Sequence, residues 1–309
     1  DSLSTRKNPV TYIRAAISKP YVCMRYTAKN KQDIDKISQA LAKIMTEDLT
    51  IQTVNDSELG QTLIYGISGQ QLKVVQNVLL EKYKVEIELS RPRTGFRETI
   101  RKKVDTEYKY KKQSGGHGQY GHVKITIEPS GDMDKPYEFE QTVVGGAVPK
   151  NYFPAVEKGV AESVKSGPLA SYPVTGVKVV LYDGSYHAVD SSEMAFKVAT
   201  EQAFKKGFMD ATPVLLEPIA SLKVFVPEEF TGDVMGDLSK RRGKVYGMNP
   251  SGEGYQEILA DIPYIELYEY DTKLFSMTRG TGIFSYEFAR YEQAPDEIAQ
   301  QEIEKNKDQ

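Results

Sequence analysis

One cysteine, no tryptophan and three histidines are all that this 309-residue chain holds of those residue types. A lone Cys23 excludes an internal disulfide framework and a cysteine-based zinc site, and it suits a reducing compartment. No apolar run approaches the roughly 20 residues that a membrane helix needs, so no membrane partner is expected. The chain contains no G-x-x-x-x-G-K-[ST] phosphate loop and no G-x-S-x-G nucleophile elbow. It opens on Asp1 with no charged-then-apolar signal region, and is expected to be a cytoplasmic piece of something longer. There is also no excess of positive charge: the formal net charge is −3, which argues at first sight against nucleic acid.

What is present is the composition of a folded protein, 39% hydrophobic and 27% charged, long enough for two or three domains. Residues 21–27 alternate as a strand, and Ile34, Ile37, Leu41 and Ile44 recur at helical spacing. Strands near 50–54 and 62–67, a helix carrying Leu72, Val75 and Leu79, and a strand at 85–89 complete a βαββαβ order, the split βαβ of ferredoxin-like domains. The order returns at the other end. Strand 220–226, a helix from Thr231 to Gly243, strands 244–248 and 255–262, a helix stopping at Gly280 and strand 282–290 repeat the plan without repeating the sequence.

Between them, residues 95–210 hold long alternating strands and two helices. One carries Phe153, Val156, Val160 and Val164; the other is capped at Asp190-Ser191-Ser192-Glu193 and is expected to stop at Gly207. The domain plan is 1–13 as the end of a preceding element, 14–90, 91–212, 213–293, and an acidic tail at 294–309, with Pro92 and Pro213 at the junctions. The fold class is α+β.

Four local patterns have simpler explanations than chemistry. Asn30-Lys31-Gln32-Asp33 matches the guanine-reading N-K-x-D, but without a phosphate loop it reads as a helix cap. His187 and Asp190 with Ser185, Ser191 or Ser192 supply the elements of a nucleophilic triad, yet capping explains Asp190 to Ser192. A metal site from His117, His122, His187 and Asp183 is equally thin, and none is expected. Lys240-Arg241-Arg242 suits a helix C-terminus, where cations complement the macrodipole.

The run from Arg91 to Lys112 carries nine cations with Phe96, Tyr108 and Tyr110 interleaved. By default such a run is a solvated face. Here it leads into Gln113-Ser114-Gly115-Gly116-His117-Gly118-Gln119-Tyr120-Gly121-His122, whose glycines let the backbone approach another surface closely. A polar loop at the end of basic strands is a plausible probe of RNA.

That segment, together with Gly184-Ser185-Tyr186-His187-Ala188-Val189-Asp190, the stretch Thr231-Gly232-Asp233-Val234-Met235-Gly236-Asp237-Leu238-Ser239-Lys240-Arg241-Arg242-Gly243, Phe96-Arg97-Glu98-Thr99-Ile100 and Pro213-Val214-Leu215-Leu216-Glu217-Pro218, resembles the bacterial elongation factor G family, collinearly from about residue 15 to 295. The resemblance covers the C-terminal three of that factor's five domains. It implies two ferredoxin-like domains flanking a ribosomal protein S5 domain 2-like arm with a left-handed βαβ crossover.

It further implies a ribosomal translocase whose GTP is held by an N-terminal GTPase domain outside this chain, with no cofactor bound by these residues and no catalytic residue among them. The implied partners are the ribosome, tRNA, mRNA and that GTPase domain, with the protein a monomer. The arm's tip would comprise Ser114, Gly115, Gly116, His117, Gly118, Gln119, Tyr120, Ser185, Tyr186 and His187. Ser239, Lys240, Arg241 and Arg242 would meet the ribosome's factor-binding centre. Two departures stand out. His117 takes the place of the family's usual Arg, exchanging a constant cation for a titrating group. Ser68-Gly69-Gln70-Gln71-Leu72 stands where the family usually reads Gly-Glu-Leu-His-Leu. These departures give equal weight to a paralogue acting in ribosome recycling or protection; a free-standing hydrolase is the enzyme alternative.

Overall fold

The computed structural model describes residues 19–112, 118–252 and 254–307, with Lys7 and Pro9. The first described stretch runs β1 (Val22–Ala28), α1 (Ile34–Glu47), β2 (Gln52–Asp56), β3 (Gln61–Gly66), α2 (Gly69–Glu81) and β4 (Ile87–Ser90). Its antiparallel sheet has the order β2-β3-β1-β4, the ferredoxin-like arrangement in which each helix connects strands separated by one other. Asn30 caps a short 3-10 turn by accepting the Gln32 N–H at 3.1 Å, so N-K-x-D is a helix entry here. α1 buries Ile37, Ala40, Leu41 and Ile44, while Ile34, expected on the same face, is exposed because it sits in the first turn.

The central stretch comprises β5 (Arg97–Ile100), β6 (Val104–Lys112), β7 (Gln119–Pro129), β8 (Tyr137–Gln141), α3 (Phe153–Ser163), β9 (Val177–Ser185) and α4 (Glu193–Asp210). The sheet order is β6-β7-β9-β8. β8 and β9 are parallel and joined through α3. One face is apolar: Val123, Ile125 and Ile127 of β7 and Val177, Val179 and Leu181 of β9 join Val156, Val160, Phe196, Phe204 and Phe208 of the helices in one core. Ser192 caps α4, accepting the Ala195 N–H at 3.2 Å. Gly207 does not end this helix as expected. α4 continues to Asp210, and a Cβ at Gly207 would lie 2.5 Å from Thr106 Cγ2, so this glycine permits close packing on the sheet.

The last stretch is β10 (Pro213–Pro227), α5 (Thr231–Lys240), β11 (Lys244–Pro250), β12 (Tyr255–Pro263), α6 (Tyr270–Met277), β13 (Ile283–Gln293) and α7 (Asp296–Lys307). The order β11-β12-β10-β13 repeats the first sheet's plan. α5 ends with Arg242, not Gly243, in the left-handed region (φ 59°), and the Gly243 N–H bonds Leu238 O at 2.8 Å. Leu267 belongs to a 3-10 turn ahead of α6.

By contact density the chain forms two compact units. One joins the first ferredoxin-like stretch, up to Thr94, with Ile219–Ala289; the other joins Gly95–Pro218 with the residues from Arg290 onward. The acidic tail is helical and docked within the second unit, where the buried Glu302 accepts from Tyr172 Oη at 3.1 Å and Asn306 donates to Ala170 O at 2.9 Å. No described helix is long and apolar enough to cross a membrane.

Candidate nucleic-acid interface

The β6–β7 hairpin sets Lys109 opposite His122, Lys111 opposite Tyr120 and Lys112 opposite Gln119. β9 ends beside it, with Ser185 opposite His122, and Ser191 bridges to Tyr120. Gly118, Gln119, Tyr120, Ser185, Tyr186 and His187 therefore gather at one end of this sheet. Ser114, Gly115, Gly116 and His117 lie outside the described residues. Gly121 has to be glycine: a Cβ there would come 2.5 Å from the α4 backbone oxygen of Ala195.

Hydrogen bonds organise the cluster. Ser185 Oγ lies 2.7 Å from Tyr120 Oη and 2.8 Å from His122 Nδ1, and His122 Nε2 lies 3.5 Å from a Glu107 carboxylate oxygen. His187 Nδ1 accepts the backbone N–H groups of Asp190 (3.2 Å) and Val189 (3.4 Å), which leaves Nε2 as the ring's donor. Its side chain is 56% exposed, and Tyr186 is 49% exposed. Lys109 Nζ sits 5.3 Å from the centre of the Tyr120 ring. This end of the sheet thus offers ammonium groups, a phenol, an imidazole N–H and an aromatic face, the donor and stacking set that suits phosphates and unpaired bases.

The serine triad of the sequence is not assembled around His187. Ser191 Oγ accepts the His187 backbone N–H at 2.9 Å, Ser192 is occupied as the α4 cap, and Ser185 turns to His122. Among the described residues no three His, Cys, Asp or Glu side chains converge as metal ligands. Burial pushes the Cys23 thiol up to about 11, far from a thiolate nucleophile at neutral pH.

Away from the tip, charge cancels across the strands. Lys124 pairs with Asp183 at 2.9 Å, Lys178 with Glu140 at 3.0 Å and Lys103 with Glu128 at 3.0 Å. The hydrogen bond from Lys124 holds the Asp183 carboxyl below its ordinary range. Arg91 donates to Ile265 O and lies over Tyr268; Arg97 lies over Tyr291. The basic run is therefore divided and not one patch: Arg91 and Arg97 make contacts inside the fold, Arg93 and Arg101 are exposed, and Lys109, Lys111 and Lys112 are exposed at the tip end of β6.

Three family models match the chain in succession: elongation factor G domain III over residues 17–91, elongation factor G domain IV over 92–212, and the elongation factor G C-terminus over 214–302. The chain belongs to the elongation factor G family. An elongation factor G-like protein of Thermotoga maritima is 44% identical over 307 residues, which is 99% of this chain and 45% of that relative. A solved crystal structure of a Thermus thermophilus protein is 39% identical with a TM-score of 0.84, covering 96% of this chain and 44% of that one. The chain thus spans about half the length of the relatives it matches.

The second stretch that the elongation factor G resemblance marked, Ser239 to Arg242, is mostly committed inside the fold. Ser239 Oγ donates to Met235 O at 2.9 Å in its own helix. Arg241 bonds Asp237 at 2.8 Å and Glu266 O at 2.6 Å, and its guanidinium lies 5.3 Å from the centre of the buried Tyr270 ring. Arg242 bonds the Glu266 carboxylate at 3.1 Å. Lys240 is exposed. At the other family departure, the Gly69 N–H donates to Asp271 Oδ2 at 2.7 Å. Gln71 is turned inward, accepting from the Ile67 N–H and donating to Asp48 and Thr50, each at 2.8 Å.

In the sequence, Asp190 reads only as a cap or a triad member. Its bond to the Gly118 N–H joins residues 72 positions apart, for which no local signal exists.

Proposed function

We propose that this chain is the ribosome-facing part of an elongation factor G-like GTPase, cytoplasmic and monomeric, that promotes GTP-dependent movement of tRNA and mRNA. GTP would be held and hydrolysed by an N-terminal domain, while these residues act mechanically. The observation that carries the reading is the convergence of the 118–120 and 185–187 segments at one sheet end beside Lys109 and Lys111. Phosphate contacts from such groups position a nucleic acid, and aromatic faces stack on its bases. His187 supplies the outward imidazole donor, and Lys240 is the exposed cation of the second stretch.

The test is single-turnover translocation by the full-length protein on programmed ribosomes. His187→Ala is expected to slow tRNA movement while GTP binding is unchanged, and the 309-residue chain alone is expected to show no GTP turnover. Unchanged translocation in the His187 variant would refute the assigned role.

A second reading, a paralogue acting in recycling or ribosomal protection, draws support from the 68–72 segment. There the backbone N–H of Gly69 is already taken by Asp271 and Gln71 is turned inward, so neither offers the acid and imidazole usual in the family. Ribosome splitting, or altered drug susceptibility of an expressing strain, without translocation would select it.

A further inference from the structure

We infer that Asp190 is a positioning residue that locks the two tip segments into one rigid element, an inference that rests on the reading of this sheet end as the part that moves tRNA. Asp190 Oδ1 accepts the Gly118 N–H at 3.0 Å, and its backbone oxygen accepts the Tyr120 N–H at 2.8 Å. On the other side its own N–H donates to His187 Nδ1 at 3.2 Å. One residue therefore holds the exit of the glycine-rich segment, through two bonds, and the imidazole of the neighbouring segment.

The clamp is tied to the core. Ser191 O accepts from Tyr152 Oη at 3.3 Å, and the Tyr152 ring stacks on the buried Phe196 with centroids 4.5 Å apart. Gly118 is shaped to the clamp: a Cβ there would meet the Asp190 carboxyl at 3.0–3.2 Å. A push transmitted through the sheet then reaches both segments together, because neither can move without breaking a hydrogen bond to Asp190. Mechanical displacement requires this stiffness, since a loosely held group yields to its load.

The experiment pairs hydrogen exchange with single-turnover translocation in the full-length protein. Asp190→Ala removes the acceptor of the Gly118 N–H but keeps the backbone bonds of residue 190 to Tyr120 and His187, so it is expected to speed amide exchange at Gly118 while the β7 core stays protected. It is also expected to slow translocation by about 10- to 100-fold with ribosome affinity unchanged. Asp190→Asn keeps a carbonyl acceptor for the Gly118 N–H and should retain most of the rate. Gly118→Ala should slow the protein with Asp190 present and add little on Asp190→Ala. Unchanged exchange at Gly118 in Asp190→Ala would overturn the clamp, whatever the protein does on the ribosome. Raised exchange with a wild-type translocation rate would overturn the positioning role alone. A wild-type protein that moves no tRNA would instead overturn the functional reading, and the exchange result would still decide the clamp.

Discussion

The carboxylate of Glu98 fills the space where a side chain on Gly167 would begin: a Cβ at Gly167 would lie 2.2 Å from Glu98 Oε2. Glu98 is fully buried, and its oxygens accept the backbone N–H groups of Leu169 (2.8 Å), Ala170 (2.7 Å) and Tyr172 (3.0 Å). A buried acid thus moulds the 167–172 turn, on which the C-terminal helix rests through Tyr172 and Ala170.

Both partners are expected to be sensitive. Gly167→Ala forces the carboxylate out of its cradle and should cost about 1–3 kcal/mol. Glu98→Ala leaves the buried Ala170 N–H and the half-buried Leu169 and Tyr172 N–H groups without their acceptor, about 1–3 kcal/mol for the buried one and less for the others, and should cost more in sum. Burial, partly offset by the three N–H donors, raises the Glu98 pKa above its ordinary 4.5. A raised folded-state pKa stabilises the fold below the unfolded value, and that contribution is lost as pH rises through the folded value. The stability of the wild type relative to Glu98→Gln should therefore decline as pH rises from below 4.5 towards neutrality. Urea titrations across that range check all three statements, and a flat difference would refute the last.

Asp271 stands at the N-terminus of α2, where a carboxylate complements the free N–H groups of the first turn. Asp271→Ala is expected to lower stability by about 1 kcal/mol, measured as a shift in urea midpoint, with Asp271→Asn in between. Gly69→Glu brings a Cβ within 3.3 Å of Asp271 Oδ2 and adds a like charge. Its cost should shrink when combined with Asp271→Ala; strict additivity would show that the two positions do not interact.

Lys240 and Arg241 are adjacent in sequence and opposite in consequence. Arg241→Ala removes the bonds to Asp237 and Glu266 O and the contact over Tyr270, and should destabilise the fold by about 2–3 kcal/mol. Arg241→Lys cannot restore the fork geometry. Lys240→Ala should leave stability within about 0.5 kcal/mol, weaken ribosome binding and reduce its salt dependence by about one counterion. Thermal melts and ribosome binding at several salt concentrations separate the two. A ribosome affinity unmoved by Lys240→Ala would remove this residue from the interface.

Much of this is legible along the chain. The order of strands and helices follows from apolar period, and the caps at Asn30 and Ser192 from side chains that bond backbone groups two or three positions on. Sequence and structure part where a glycine or an arginine serves a distant partner. Gly207 resembles a helix end because glycine often is one; its reason is the side chain of Thr106, about a hundred residues earlier. Arg91 resembles part of a solvated cationic run; its guanidinium instead lies over Tyr268 and bonds Ile265 O.

The α+β plan, the absence of a local phosphate loop or nucleophile elbow, and the family are all readable along the chain, because each rests on chemistry within a few residues or on motifs that stand intact. Which charges face outward and which are consumed emerges only once the chain is folded. So does the meeting of Asp190 with Gly118 across 72 residues and of Glu98 with Ala170 across the same separation. Such pairings depend on how sheets and helices bring distant segments within about 3 Å, and no periodicity along the chain encodes that distance.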